Sequence, residues 1–315
     1  MIIPHQNQAY AFALATVLLW STVAVAFKLA LRQVDVFQLV FYSTLAASII
    51  LVCISWAQGS ISTLGKLFKN HWKMTILSGC INPVLYYLVL FAAYDRLPAQ
   101  VAQPINYTWA IVLTFLSIPF LRQRMTWVDL TAAFICYSGV VVIATQGQFS
   151  ISDLWADNTT LENLASIDQE VWEGLFFAIL STFIWAGYWI LNVRDPREPA
   201  IAICLNFLVA LPVSFIVCLI FSNPVLASNQ SLIFAGYIGF AEMAVAFLLW
   251  SKALKMAENT SRVSNLIFLS PFLSLIFIYL LLGETIHSTT YFGLLVIVAG
   301  LLFQQYGRIK HGAAH

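Results

Sequence analysis

Residues Leu205–Ile220 read LNFLVALPVSFIVCLI. Polar residues are almost absent from both sets of alternating positions, so the stretch is not a strand with one wet face. It also lacks the polar-apolar alternation of a membrane β-barrel strand. As a helix it is apolar around its whole circumference, and it sits inside a longer apolar run, 199–221. A run of about 20 such residues crosses the ~30 Å hydrocarbon core of a bilayer.

Reading outward from it, nine more stretches have the same character. The ten expected spans are 9–30, 36–57, 73–94, 98–120, 126–146, 171–192, 199–221, 231–252, 261–282 and 288–306. The composition agrees. Of 315 residues, 61% are hydrophobic and only 9% are charged, against about 25% charged in ordinary soluble domains. The mean hydropathy is +0.85. A soluble enzyme, a disordered chain and a nucleic-acid binder are all excluded, the last because a net charge of +1 leaves no cationic excess for phosphates. The expectation is an all-α integral membrane protein with ten transmembrane helices.

Ten spans put both termini on one side. The loops of that side carry Lys66, Lys69, Lys73, Arg122, Arg124, Arg194, Arg197, Lys252, Lys255, Arg262, Arg308 and Lys310, whereas the other side carries Lys28, Arg32 and Arg96. The positive-inside rule then makes both termini cytoplasmic. Residues 147–170 form an acidic linker without Lys or Arg on the opposite, extracytoplasmic side. Ala24-Val25-Ala26 looks like a signal-peptidase site, but Met1–Tyr10 lacks a basic n-region, so the first span is expected to stay uncleaved.

The linker separates two halves, 1–146 and 171–306, followed by a short cytoplasmic tail, 307–315. Residues 92–123 align without gaps to 253–284 at an offset of 161; Ala92 falls on Ala253, Ala102 on Val263, Gln123 on Glu284, and Gly139 on Gly300. Five spans per half is an odd number, so the second half enters the membrane from the other side. A 5+5 inverted-topology repeat is the expected architecture, as in many secondary transporters.

Several segments carry a family resemblance. They are Leu18-Leu19-Trp20-Ser21-Thr22, Ile105-Asn106-Tyr107-Thr108-Trp109, Phe183-Ile184-Trp185-Ala186-Gly187-Tyr188 and Leu281-Leu282-Gly283-Glu284. With them the chain resembles the EamA-type transporters of the drug/metabolite transporter superfamily over nearly its whole length. The first half departs from the pattern, with Leu121-Arg122-Gln123 in place of the Leu-x-Gly-Glu ending. The resemblance implies a carrier of small organic metabolites and leaves the substrate open, since such carriers move amino acids, nucleosides, vitamins, sugars and drugs.

Glu242 is the most informative single residue. It lies mid-span, ten residues from Lys252, or about 15 Å of helix. An ionised carboxylate at that depth costs about 3 kcal/mol or more if it faces lipid. It therefore faces the bundle interior, as a proton-coupling site, as an anchor for a cationic substrate or as a structural carboxylic acid. Amides and aromatics within spans form the second group of candidates: Asn82, Gln103, Asn106, Tyr107, Trp109, Trp20, Ser21, Trp185, Tyr188 and Asn265. Buried amides need partners, and Trp or Tyr rings can stack on a planar or apolar ligand. Pro83, Pro104, Pro212 and Pro271 mark backbone breaks inside spans.

No Gly-x-x-x-x-Gly-Lys-Ser/Thr loop occurs, no histidine lies deep in a span, and the five cysteines form no Cys-x-x-Cys pair. No enzymatic activity, cofactor or metal is expected. The expected partners are the lipid bilayer, a small-molecule metabolite and protons, with no nucleic acid. Gly293 and Gly300 can pack helices within one chain or between the chains of a homodimer. The function expected is export of small organic metabolites such as amino acids across a bacterial cytoplasmic membrane, by proton exchange or facilitated diffusion. The alternatives are an importer of the same fold and a non-transporting receptor or assembly subunit.

Overall fold

The computed structural model describes residues 6–121, 126–144, 168–225, 229–257, 263 and 265–312. Among them the regular structure is helical throughout. The α-helices are α1 (Gln6–Leu31), α2 (Val36–Ala57), α3 (Ile61–Gly79), α4 (Tyr86–Arg96), α5 (Ala99–Asn106), α6 (Trp109–Leu121), α7 (Trp127–Ala144), α8 (Gln169–Arg194), α9 (Pro199–Phe221), α10 (Asn229–Ile238), α11 (Val245–Met256), α12 (Ser270–Phe277) and α13 (Ser288–Gly312). Single π turns join α3 to α4 (Cys80–Leu85) and α10 to α11 (Gly239–Ala244).

Nine helices among the described residues, counted through such breaks, are long and apolar enough to cross a membrane. The expected ninth span differs. A 3-10 turn (Asn265–Leu269), α12 and a π turn (Ile278–Leu282) divide it, and its apolar run, Leu266–Leu282, falls short of the others in length. The third helix extends back to Ile61, with a break in helical geometry at His71 (φ −130°, ψ 26°), two residues before the expected start at 73. Its first turns carry Lys66, Lys69 and Lys73, a charge density that hydropathy reads as loop. Part of the linker 147–170, the segment Arg122-Gln123-Arg124 and the first residues of the expected ninth span lie outside the described residues.

The chain forms two compact units, each drawing on both halves: residues 1–91 with 194–282, and residues 92–193 with 283–315. In the first unit, glycines let helices meet backbone to backbone. A Cβ on Gly79 would sit 2.5 Å from the Asn206 carbonyl oxygen on α9; one on Gly239 would sit 2.6 Å from that of Ser43 on α2. Small residues at helix contacts are the usual means of close approach in lipid. Gly79 precedes one π turn and Gly239 opens the other. Within these turns Asn82 (φ −136°, ψ 119°) and Ala244 (φ −113°, ψ −72°) leave helical geometry. Beside α1, the Thr16 hydroxyl lies 3.5 Å from the Ala246 carbonyl oxygen and the Ser21 and Ser270 hydroxyls are 3.2 Å apart.

At one end of this unit Arg197 and Asp195 form a buried pair, with side chains 1% and 6% exposed. The Arg197 guanidinium also donates to the Thr75 hydroxyl at 2.6 Å. Burial pushes the Asp195 carboxyl up, but hydrogen bonds from Arg197 and its charge outweigh this and hold it below the ordinary value.

In the second unit α7 and α13 run antiparallel in close contact. A Cβ on Gly139 would meet the Gly293 carbonyl oxygen at 2.6 Å, and one on Gly293 would meet that of Gly139 at 2.6 Å. Gly300 faces Cys136 in the same way, whose thiol donates to the Ile297 carbonyl at 3.4 Å. Gly293 and Gly300 thus pack within the chain. Asp129, fully buried at the start of α7, accepts from the Thr126 amide and hydroxyl, both at 2.9 Å, and from Gln304 at 3.0 Å.

Of the four prolines inside expected spans, Pro83 lies in a π turn, Pro104 precedes the gap between α5 and α6, and Pro271 opens α12. Pro212 lies within the unbroken α9.

Candidate functional site

Glu242 projects from the π turn Gly239–Ala244. One carboxylate oxygen, Oε1, accepts a hydrogen bond from the Tyr87 hydroxyl at 3.1 Å. The other, Oε2, is buried without a hydrogen-bond partner. This contrasts with Asp129, whose two oxygens each take hydrogen bonds. A buried carboxylate oxygen left unsatisfied is expensive; Glu242 keeps one such oxygen, whereas both oxygens of Asp129 are engaged. Tyr87 is itself fully buried and packs edge-on against Tyr86 and, tilted, against Phe91 at centroid separations of 4.8 and 5.4 Å. Its ring is thus held in place and its hydroxyl fixed toward the acid. Sequence reasoning missed it, although a tyrosine in a span needs an acceptor for its O–H when buried.

Trp20 of α1 packs on the helix that follows Glu242. Its ring lies edge-on to Phe247 at 5.9 Å and tilted to Trp250 at 5.7 Å. Its indole N–H is buried without a partner. Ser21 is fully buried on the same helix and engaged with Ser270. Asn82, 1% exposed, lies in the other π turn with its Oδ1 unpartnered. Asn206, also 1% exposed and also with an unpartnered Oδ1, escaped the sequence reading because it stands alone in the most apolar helix. The first unit thus contains Glu242, Asn82, Trp20 and Ser21 from the expected set. Asn265 falls in its 3-10 turn.

The second unit holds the remaining candidates. Trp109 of α6 stacks on Trp189 of α8 (6.0 Å, 13° between planes) and lies edge-on to Trp185 at 6.5 Å. Trp185 stacks on Tyr188 at 5.5 Å. Asn106 donates to the Ser181 hydroxyl at 3.0 Å, tying the end of α5 to α8. Gln103 is buried and Tyr107 half-buried on the same stretch. The cluster is an aromatic patch with the indole N–H of Trp189 buried and unpartnered, suited to stacking on a planar group.

Glu284, the acid of the Leu-x-Gly-Glu ending, has a structural part here. Gly283 turns the chain with φ +69°, a conformation that favours glycine. Glu284 then accepts from the backbone N–H groups of Ala99 and Gln100 at 3.1 and 3.3 Å. It caps the first turn of α5, where free N–H groups and the helix dipole favour a carboxylate. Gln100 returns the contact, donating to the Thr285 carbonyl at 2.9 Å and accepting from the His287 amide at 3.0 Å. Among the described residues no group of His, Cys, Asp and Glu is arranged to hold a metal.

The sequence profile of the EamA-like transporter family matches the chain twice, at residues 7–145 and 172–304. An uncharacterized transporter of Archaeoglobus fulgidus is 26% identical over 293 residues, spanning 91% of this chain and 93% of that protein. The uncharacterized inner membrane transporter YhbE of Escherichia coli K12 is 22% identical over 307 residues, spanning 94% and 90%. A solved structure described simply as "Crystal structure of protein" superposes with a TM-score of 0.66 at 19% identity, covering 95% of this chain and 96% of that one. That likeness speaks for the fold alone.

Proposed function

The chain belongs to the EamA-like transporter family, and from that premise we propose that it is a secondary exporter of small organic metabolites, coupled to protons through Glu242. It is a multi-pass membrane protein whose relatives are named transporters. The observation that carries the coupling is the half-satisfied carboxyl group: Tyr87 holds Oε1, and Oε2 is buried and vacant. A proton on Oε2 neutralises the acid, and its loss leaves a charge that the dry surroundings penalise. The two protonation states therefore differ in the conformations they favour.

Alternating access between two halves of opposite orientation supplies those conformations. Ten spans arranged as a 5+5 inverted repeat are supported by the double family match, 7–145 and 172–304, and by the two π turns, Cys80–Leu85 and Gly239–Ala244, whose packing glycines Gly79 and Gly239 stand 160 residues apart. Cytoplasmic termini are supported by the distribution of Lys and Arg. In the second unit the Trp109–Trp185–Trp189 patch would stack on a planar part of the cargo.

The test is flux. Metabolites enriched in the medium of overproducing cells would name the cargo. The purified protein in liposomes would then move that cargo against an imposed, inwardly directed proton gradient. Glu242→Gln is expected to remove the pH dependence of that flux. Unchanged rate and pH dependence in Glu242→Gln would overturn the coupling, and absence of flux with any cargo would overturn transport.

A further inference from the structure

In the first unit four helical segments touch in a closed cycle. The α3 glycine Gly79 meets the backbone of Asn206 on α9. On α9 the Phe207 carbonyl accepts from Ser48 of α2 at 3.3 Å. The same helix α2 meets Gly239 at the π turn through Ser43, Ala46 and Ala47. That turn returns to α4 through Glu242 and Tyr87. All these contacts lie within about two helical turns of one another along each segment.

The polar groups at this level are unusually hungry. Asn82 Oδ1, Asn206 Oδ1, Glu242 Oε2 and the hydroxyls of Ser43 and Thr44 are buried without a hydrogen-bond partner. Buried polar groups in folded proteins are nearly always paired, so several orphans at one level call for an explanation. Three of the five can only accept: two amide oxygens and one carboxylate oxygen. Residues 43–48, 79–87, 206–207 and 239–244 contain no Lys, Arg or His, so these four segments bring no cation of their own to the acid. Asn82 also stands at the position of Glu242 in the other π turn, each three residues after the packing glycine.

We infer that this four-helix ring binds a monovalent cation, with Glu242 as its counter-charge and the amide oxygens of Asn82 and Asn206 as its neutral ligands. The occupant is a sodium ion or the protonated amine of a cargo molecule; both present positive charge to oxygen acceptors. The inference rests on the transporter reading for its purpose but is tested without flux. A proton and a cation cannot occupy the same carboxylate oxygen together, so loading the ring would displace the coupling proton.

The test is the unfolding temperature of the purified full-length protein in nanodiscs, titrated with sodium chloride, n-butylammonium chloride or choline chloride. Choline carries the charge without an N–H, and it is too bulky for an oxygen ring. A ligand that binds only the native state raises the unfolding temperature with its concentration. Saturable stabilisation by sodium would identify a metal ion, and by butylammonium an amine, with choline inert in either case. The response is expected to vanish in Glu242→Gln and to need about tenfold more ligand in Asn206→Leu, which removes one hydrogen-bonding oxygen. Asn82→Asp, which adds a second charge, is expected to need about tenfold less. If Asn206→Leu does not fold, Asn82→Asp carries the test, and an unchanged response there overturns the inference. So does a wild-type protein that responds to neither probe, or to all three alike. Binding without flux would count against transport alone; flux without binding would count against the ring alone.

Discussion

Gly239→Ala and Gly236→Ala place the same methyl group three residues apart on one membrane-spanning helix, with opposite expected outcomes. At Gly239 the new Cβ would lie 2.6 Å from the Ser43 carbonyl oxygen, 2.7 Å from the Ala46 Cβ and 2.9 Å from the Ala47 nitrogen. Ordinary contact begins near 3.4 Å, so α2 and the π turn must separate by roughly 0.5–0.8 Å. No rotamer change relieves this, because every contacted atom is backbone or Cβ. Overpacking of this kind costs about 1–3 kcal/mol. At Gly236 nothing lies within 4 Å of the added Cβ. There alanine contributes only its better helix propensity, about 0.5–1 kcal/mol. That gain is common to both variants, so their difference isolates the clash. The assay is unfolding of the purified protein in detergent micelles by added SDS, followed by tryptophan fluorescence. Gly239→Ala is expected to unfold about 1–3 kcal/mol more easily than Gly236→Ala. It is also expected to lose flux, since Glu242 sits on the turn that must shift. Coincident unfolding curves for the two variants would refute the close approach of α2 and the turn.

Three further outcomes are expected. Tyr87→Phe removes the single donor seen on Glu242; a hydrogen bond to a charged group contributes about 1.5–3 kcal/mol, so proton-driven flux should fall about tenfold or more, measured in liposomes under a fixed gradient. Asp195→Ala leaves Arg197 buried without its partner, which costs about 3–5 kcal/mol in the same SDS titration. Because the folded Asp195 carboxyl lies below its ordinary value of 3.8, the pair's contribution is full at neutral pH and is lost as pH falls through the lowered folded value, so the gap between Asp195→Ala and the parent should close in strong acid. Glu284→Ala removes a cap worth about 0.5–2 kcal/mol, whereas Glu284→Gln keeps an acceptor oxygen and should lose less; equal losses would argue against capping.

Hydropathy made most of the helices legible. The second and seventh spans, read as 36–57 and 199–221, coincide with the helices Val36–Ala57 and Pro199–Phe221. The breaks were less legible. A π turn adds one residue to a helix without changing its polarity, so neither Cys80–Leu85 nor Gly239–Ala244 leaves a hydropathy signature. The repeat offset is 161 near residues 92–123 and 160 at the glycines Gly79 and Gly239, and the exchange of an amide at Asn82 for an acid at Glu242 hides the correspondence further. Glu242 itself was legible because a mid-span acid has few innocent explanations. Tyr87 was not, since only its angle on α4 distinguishes it from its neighbour Tyr86. Asn106 and Trp109 were legible as types, but Ser181 and the stacking of Trp189 depend on how α8 lies beside them.

The reciprocal contact between Gly139 and Gly293 has a consequence for biosynthesis. α7 ends at Ala144 and α13 begins at Ser288. At ~5–20 residues per second, the ribosome needs about 7–30 s to make the intervening chain. Through that interval α7 stands in the membrane with its glycine face open to lipid or to the insertion machinery. The second unit closes only when α13 arrives, so a nascent chain stalled between these helices would present an unfinished small-residue face, the kind of surface by which membrane quality control can distinguish an incomplete product from a finished one.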